Sequence, residues 1–388
     1  MKFDVAVLGA GPGGSTLAAL LAWRGVSVAL VDRDTFPRDK LCGEFLSYDA
    51  LPLLDLLGIG DEIERRGAPA IRRCRIVSRR RTFEFELPHS ARGVSRLLFD
   101  ELLFRTAVAR GAQPFDGWTA ESIDHNALTI ARAGESHTVT AGVIAGAWGR
   151  WGRFDTQLAR AFARDRSHRS FGFKRHYRGD SPGAEGAIEL YSFDRGYLGV
   201  NDVEGGLTNI CGLVHADRLA GHRGRWESFV TAIRSEEPPL DTMYSRYTPA
   251  QDDFLSSEPV IFRGRRAVER GVFMIGDASG IVDPLTGNGM AMAMQSALLA
   301  APLILRALRP GSRTEIEAEY IAAHASMFHP RIRWSRAIAT LLSRPAILDA
   351  ALRAARPAAV GRMFVRRTRA ELASVQRMTE AWRISSSV

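Results

Sequence analysis

Cysteine is scarce in this chain: three residues in 388, at positions 42, 74 and 211, with no C-x-x-C pair. That excludes a disulfide framework and a zinc site, and nothing else in the chain has metal-ligand spacing. Lysine is as scarce, with only Lys2, Lys40 and Lys174, so nearly all the basic charge is arginine. The longest apolar run, Met290 to Leu305, is broken by Gln295, Ser296 and Pro302, and reads as a buried helix, not a transmembrane segment. Internal repeats and low-complexity tracts are absent. The net charge is +9, from 52 Lys and Arg against 43 Asp and Glu. The arginines are spread along the chain without a recognised nucleic-acid motif, which sets nucleic acid aside. An acidic carrier protein or an anionic membrane surface is what such a charge would attract. At this length the chain can bury one or two full cores. Its opening residues are committed to a folded strand, so no cleaved leader is expected and the cytoplasm is the default location.

What the chain does have is glycine in two ordered places. Phe3 to Leu8 is a short apolar strand that runs into Gly9-Ala10-Gly11-Pro12-Gly13-Gly14. An Ala/Leu-rich helical segment follows to Trp23, and a second apolar strand ends on Asp32-Arg33. This is G-x-G-x-x-G in a strand-loop-helix-strand setting: Gly9 for the tight turn, Gly11 for close approach to a pyrophosphate, Gly14 for helix–strand packing. The helix N-terminus offers free N–H groups to phosphates. Asp32 lies where an acidic side chain accepts from a ribose hydroxyl. The fingerprint alone does not choose between NAD and FAD.

The second glycine-rich stretch is Gly276-Asp277-Ala278-Ser279-Gly280-Ile281-Val282-Asp283-Pro284-Leu285-Thr286-Gly287-Asn288-Gly289. It follows an apolar strand and opens a long Ala/Met/Leu helix. Asp277 can bind a sugar-like hydroxyl. Pro284, Gly287, Asn288 and Gly289 bring backbone N–H groups to a helix start that favours negative charge, such as that near N1 and O2 of a reduced flavin.

With both stretches in view, residues 1–335 resemble the FAD-dependent oxidoreductases that include geranylgeranyl reductases, aromatic hydroxylases of the p-hydroxybenzoate hydroxylase type and flavin-dependent halogenases. The loop Phe36-Pro37-Arg38-Asp39-Lys40-Leu41-Cys42-Gly43-Glu44 resembles the flavin-proximal loop of the reductases, and Arg96 matches an arginine near the FAD phosphates or sugar. The resemblance implies an α/β fold: a Rossmann-like FAD-binding domain of the p-hydroxybenzoate hydroxylase/glutathione reductase kind, an α+β second domain on an antiparallel sheet, and a helical C-terminus. The expected boundaries are 1–165 plus 250–312 for the FAD domain, with a strand insertion near 68–92, then 166–249 for the substrate domain and 313–388 for the helical region, punctuated by Pro330, Pro345 and Pro357. The implied FAD contacts are Gly9, Gly11, Pro12, Gly13, Gly14, Asp32, Arg33, Cys42, Gly43, Arg96, Gly276, Asp277, Pro284, Gly287, Asn288 and Gly289. One departure stands out. Trp148 occupies the place of an Asp that aromatic hydroxylases use for FAD and nicotinamide, so NAD(P)H is expected only as a transiently docked donor.

Three reactions follow from the resemblance. Halogenation needs a lysine to carry the activated halogen, and only Lys40 and Lys174 are eligible; the Trp-x-Trp-x-Ile-Pro signature is absent. Double-bond reduction needs a proton donor, for which Cys42 and Glu44 are the candidates; the Tyr-x-Trp-x-Phe-Pro signature of isoprenoid reductases is missing. Monooxygenation, by hydroxylation or epoxidation, needs a C4a-peroxyflavin kept from water, with Phe171, Phe173, Tyr191, Phe193 and Tyr197 as candidate walls of a pocket for a large apolar or aromatic metabolite, free or carrier-bound. Elimination favours monooxygenation, with reduction beside it. His176 and His215 receive no role. The arginine-rich stretch from Ile332 to Arg369 reads as a cap on the FAD domain, or as a peripheral contact to a membrane or an acidic carrier.

Overall fold

The computed structural model describes residues 1–164, 170–179, 186–257, 259–262, 264–354 and 356–384. The boundary expected at 165–166 and the last four residues lie outside them. Two sheets carry the architecture. The first runs Val268–Glu269, Val272–Met274, Glu135–Gly146, Lys2–Leu8, Val28–Asp32, Gln113–Asp116, and the hairpin of Thr119–Asp124 and Ala127–Arg132 joins it at Glu135–Gly146. Lys2–Leu8 pairs in parallel on both sides, with Val28–Asp32 and Glu135–Gly146. Val5 to Leu8 are buried, which is why this stretch has no polar alternation. The Pro12–Trp23 helix has no polar face either, because it is buried from Pro12 to Ala22. It packs between the Arg96–Ala109 and Gly289–Ala307 helices. Gly289–Ala307 is long and apolar enough to cross a membrane, but 67% of its most apolar window is buried inside the protein. It is a core helix.

The second sheet runs Tyr247–Pro249, Ser170–Gly179, Leu207–His215, Gly196–Val203, Ala187–Phe193, Ala70–Val77, Thr82–Gly93, Phe45–Leu46. Ala70–Val77 pairs in parallel with Ala187–Phe193. The strands expected as an insertion near 68–92 are therefore part of this sheet and do not extend the first. One face is covered by the helices Trp226–Glu236 and Pro238–Tyr244. The other faces the Ile281–Leu285 stretch and the helices Arg313–Leu342, Pro345–Ala354 and Pro357–Thr368. Pro345 and Pro357 open helices, where a missing N–H costs nothing. Pro330 does not punctuate: Arg313–Leu342 continues through it for 30 residues. Phe328, Arg331 and Ser335 are buried on either side, and that packing holds the helix across the lost backbone bond.

Candidate FAD site

The first glycine loop is closed at two positions and open at one. Gly9 has φ +105°, and a methyl group there would lie 2.4 Å from the Ala147 carbonyl oxygen. At Gly14 it would lie 1.8 Å from the Gly9 carbonyl oxygen. At Gly13 it would press on Ile275 Cγ2 at 3.0 Å and on the Ala293 carbonyl oxygen at 3.2 Å, so the two glycine-rich stretches meet here. At Gly11 the nearest atoms are the guanidinium ends of Arg96 and Arg38, at 3.8 and 3.9 Å. Two cations therefore converge above a bare backbone, beside a helix N-terminus with Pro12 in its first turn. Asp100 organises both. It is fully buried, takes two bonds of 2.7 Å from Arg96 and one of 2.7 Å from Arg38. Burial opposes the Arg96 charge, but Asp100 and the neighbouring Cys42 more than offset that, and the guanidinium stays firmly protonated. Asp32 accepts from Ala10 N at 2.7 Å and from Asp34 N at 3.0 Å, with Arg38 at 3.3 Å. Arg33, expected among the FAD contacts, points outward with its side chain 73% exposed.

The second loop begins where Gly276 N donates to Ser296 Oγ at 2.9 Å. Burial pushes the Asp277 carboxyl above its usual range, against the pull of Arg150, Arg265 and Arg96. Among the described residues it takes part in no hydrogen bond. Gly287 has φ +60°, and a methyl group there would strike the Phe45 ring at 2.6 Å. Gly289 has room, with its nearest neighbour, Val282 Cγ1, at 3.8 Å. The Asn288 side chain turns away from the loop, donating to Asp49 at 3.0 and 3.2 Å. Pro284 has no N–H and Gly287 N donates to the Pro284 carbonyl at 2.9 Å, so what the loop presents is the backbone N–H at the start of Gly289–Ala307.

This loop is pinned from both flanking layers. Tyr197 OH donates to Asp283 Oδ1 at 2.5 Å and accepts from Leu285 N at 3.0 Å. Asp283 N donates to Ser335 Oγ at 3.1 Å. Burial raises the Asp283 carboxyl to about 6, while Tyr197, Leu285 N–H and Arg336 act to lower it. Folding therefore takes up a proton at Asp283. Its stabilising contribution is full below the ordinary carboxylate value and is lost as pH rises through about 6. His324, lowered to about 3 chiefly by burial, has the opposite slope: its contribution is present above the ordinary imidazole value and lost as pH falls. Subtracting urea-unfolding free energies of Asp283→Asn from wild type isolates the first effect. The variant should gain on the order of 2 kcal/mol relative to wild type as pH rises from about 4 to 7. A flat difference across that range would contradict the assignment.

The flavin-proximal loop separates its two expected proton donors. Cys42 is half-buried, and its thiol lies beside Arg96 and accepts weakly from Glu44 N at 3.4 Å. Asn209 Nδ2 donates to the Cys42 carbonyl at 3.0 Å, and Gly43 has open space around it. Glu44 is fully buried at φ +54°. Its Oε1 accepts from Arg96 N at 2.8 Å and Lys174 Nζ at 2.7 Å, and its Oε2 meets His176 Nε2 at 2.6 Å. Lys174 also reaches Asp39 at 2.6 Å. Burial opposes the Lys174 charge, yet Glu44 and Asp39 hold the ammonium above its usual value. The proton-donor expectation for Glu44 is thus corrected: Oε1 is taken by two donors and Oε2 is held against His176 Nε2, and the buried residue clamps the loop to the second sheet.

The aromatic wall is corrected too. Phe173, Tyr191 and Phe193 lie in the core beneath Trp226–Glu236 and Pro238–Tyr244, with Phe171 packed against it. Phe173 stacks on Trp226 with centroids 4.9 Å apart. Alternation then turns Lys174 and His176 to the opposite face, toward Glu44. Only Tyr197 of the five faces the glycine-rich side. Trp148, standing where an Asp was expected, fills space: methyl groups at Gly146 and Gly152 would meet its ring at 2.2 and 2.5 Å. Its Nε1 donates to Asp155 Oδ1 at 3.2 Å, an oxygen shared with the buried Arg160. The sequence reading weighed Lys174 only as a halogen carrier, gave His176 no role, and missed Arg38, Asp100, Asp283 and Asp49 as site residues. The one local signal was Asp100, four residues after Arg96 on the same helix.

The donor set fits FAD. Gly11 under two arginines suits a diphosphate, Asp32 a ribose, Asp277 a hydroxylated chain, and the start of Gly289–Ala307 an electron-rich ring edge. Residues 2–174 match the family described as FAD binding domain. A tryptophan 2-halogenase of Chondromyces crocatus is 25% identical over 364 residues, 87% of this chain and 67% of that protein. The chain thus spans about two thirds of that halogenase's length. A menaquinone reductase of Mycobacterium tuberculosis is 28% identical over 337 residues, 78% of this chain and 76% of the reductase. Among solved structures, the flavin-dependent brominase Bmp2 superposes with TM-score 0.74 at 18% identity, covering 99% of this chain and all of Bmp2. PqsL, a probable FAD-dependent monooxygenase from Pseudomonas aeruginosa, gives TM-score 0.70 at 17% identity, covering 91% of this chain and all of PqsL. The matched domain, the shared fold and the two glycine-lined loops identify an FAD-binding domain in residues 2–174 and an FAD-dependent enzyme similar to flavin-dependent halogenases, monooxygenases and reductases.

Proposed function

We propose that the chain is a monooxygenase that hydroxylates or epoxidises a large apolar or aromatic molecule, free or carried on an acidic protein, with NAD(P)H docking transiently as electron donor. The observation that carries this reading is the Glu44–Lys174–His176 cluster. It occupies at once the lysine that halogen transfer uses and the acid that double-bond reduction would use. Lys40 is tied to Asp34, and Lys2 begins the strand whose far end is the glycine loop. When bound, FAD supplies the two-electron reduction of dioxygen by which one oxygen atom reaches the substrate and the other leaves as water. The chain's residues do the rest. Arg38 and Arg96 hold the diphosphate. Leu285, Thr286 and Gly287 N–H are used within the loop, so it is the N–H groups at the start of Gly289–Ala307 that favour negative charge on the reduced ring. Ile281, Leu285, Leu213 and the C-terminal helices pack an apolar core against the loop, which shields it from water on that side.

Double-bond reduction stays as a second reading on one observation, the half-buried Cys42 thiol beside Arg96 on the flavin-proximal loop. Rapid mixing of the photoreduced holoenzyme with oxygen separates the two. A transient spectrum distinct from oxidised and reduced flavin supports oxygen insertion; one-step reoxidation with release of peroxide supports reduction. Cys42→Ser should leave the transient unchanged. Arg38→Ala and Arg96→Ala should each weaken FAD binding by about tenfold or more, as expected for a charge-assisted phosphate contact, measured by flavin fluorescence titration. Full retention in both would remove them from the diphosphate site.

A further inference from the structure

The excess positive charge is concentrated in the arginine-rich stretch near the C-terminus. Residues 331–370 contain ten arginines and one acid, Asp349, a net charge of +9. The remaining chain is neutral, with 42 basic and 42 acidic residues. A general taste for arginine in the composition would raise the charge everywhere, and it does not. All of these ten arginines except Arg331 and Arg369 are exposed. None of the exposed eight is ion-paired to a described residue, whereas Arg65, Arg66, Arg105, Arg195 and Arg306, on other exposed faces, are partly neutralised by a carboxylate.

The segment also has a two-sided build. The inner faces of Pro345–Ala354 and Pro357–Thr368 bury Leu348, Leu352, Phe364 and Val365 in the core shared with Tyr197 and Leu285. The outer faces carry the arginines together with Ile347 and Met363, 50% and 43% exposed. These helices therefore cover the apolar core beside the candidate FAD loop.

We propose that this outer face docks on the surface of an anionic lipid bilayer. The favoured occupant follows from the pattern. A specific protein partner calls for a contiguous apolar centre within a rim of mixed polarity. Here residues 331–370 offer eight exposed arginines against one acid, Asp349, broken by two separated apolar side chains suited to shallow insertion among headgroups. Docking would set the helices that cover the core beside the FAD loop against the membrane, where an apolar substrate is concentrated. The docking itself does not depend on which reaction the flavin performs.

The test is co-sedimentation of the FAD-loaded full chain with vesicles of phosphatidylcholine alone and of phosphatidylcholine mixed with phosphatidylglycerol, at low and high salt. Binding is expected only to the anionic vesicles and should be lost at high salt, where exposed charges are screened. Arg353→Glu/Arg362→Glu/Arg366→Glu should lower the partition coefficient by about tenfold or more, with FAD content and melting temperature unchanged. Ile347→Asp, a second and separately folded variant, should also weaken binding to the anionic vesicles. Equal binding to neutral vesicles, or none to anionic ones, would overturn the proposal. So would salt-sensitive capture of a purified acidic acyl carrier protein by a chain that ignores both vesicles.

Discussion

Gly14→Ala should destroy both the fold of the first loop and FAD uptake, whereas Gly11→Ala should destroy FAD uptake alone. The added methyl group at Gly14 would lie 1.8 Å from the Gly9 carbonyl oxygen. That is backbone, and it has nowhere to go: Gly9 N is bonded to the Val31 carbonyl at 2.7 Å and Gly9 itself abuts Ala147. The strand end and the helix start must part, at a cost of about 3 kcal/mol or more for such overpacking. At Gly11 the methyl group meets only the mobile ends of Arg96 and Arg38, at 3.8 and 3.9 Å. The apoprotein should melt like wild type, yet the methyl group occupies the approach of a diphosphate. Thermal melting of the two apoproteins and flavin fluorescence titration check the contrast. Equal melting temperatures for Gly14→Ala and wild type would show that the loop is not built as described.

Lys174→Met should be the most damaging single change in the second sheet. Lys174 and Glu44 are both fully buried and 2.7 Å apart. Removing one partner of a buried pair leaves the other charge uncompensated, a loss of about 3–5 kcal/mol. Asp39 loses its partner too, so the loop carrying Cys42 and Gly43 should loosen and FAD should dissociate faster. Adding Glu44→Gln to Lys174→Met should restore part of the stability, because the stranded charge is gone. Urea unfolding of the single and double variants decides this. A Lys174→Met protein that unfolds like wild type but makes no product would give the lysine a chemical role and bring halogen transfer forward.

The parts of this account legible in the sequence are those where chemistry is local. The glycines, the strand before each set and the helix after it lie within a few residues of one another, and so do Arg96 and Asp100. What was illegible depends on partners far away in the chain. Glu44 meets Lys174 and His176 across 130 and 132 residues, and Asn288 meets Asp49 across 239. Alternation in Ser170–Gly179 marks two faces but not which layer each meets. The aromatic face was given to the pocket, when it is the face with Lys174 and His176 that turns toward the flavin-proximal loop. Pro330 misled for a related reason: a local breaker signal yields when burial on both sides of it is strong.

The claim on which the rest depends is that the loops at Gly9–Gly14 and Gly276–Gly289 hold two ends of one FAD. Titration of the apoprotein with FAD, followed by flavin fluorescence and visible absorbance, tests it most directly. Saturation at one FAD per chain, with ADP competing for the site, is the predicted result. A protein that stays colourless and leaves flavin fluorescence unchanged would contradict it.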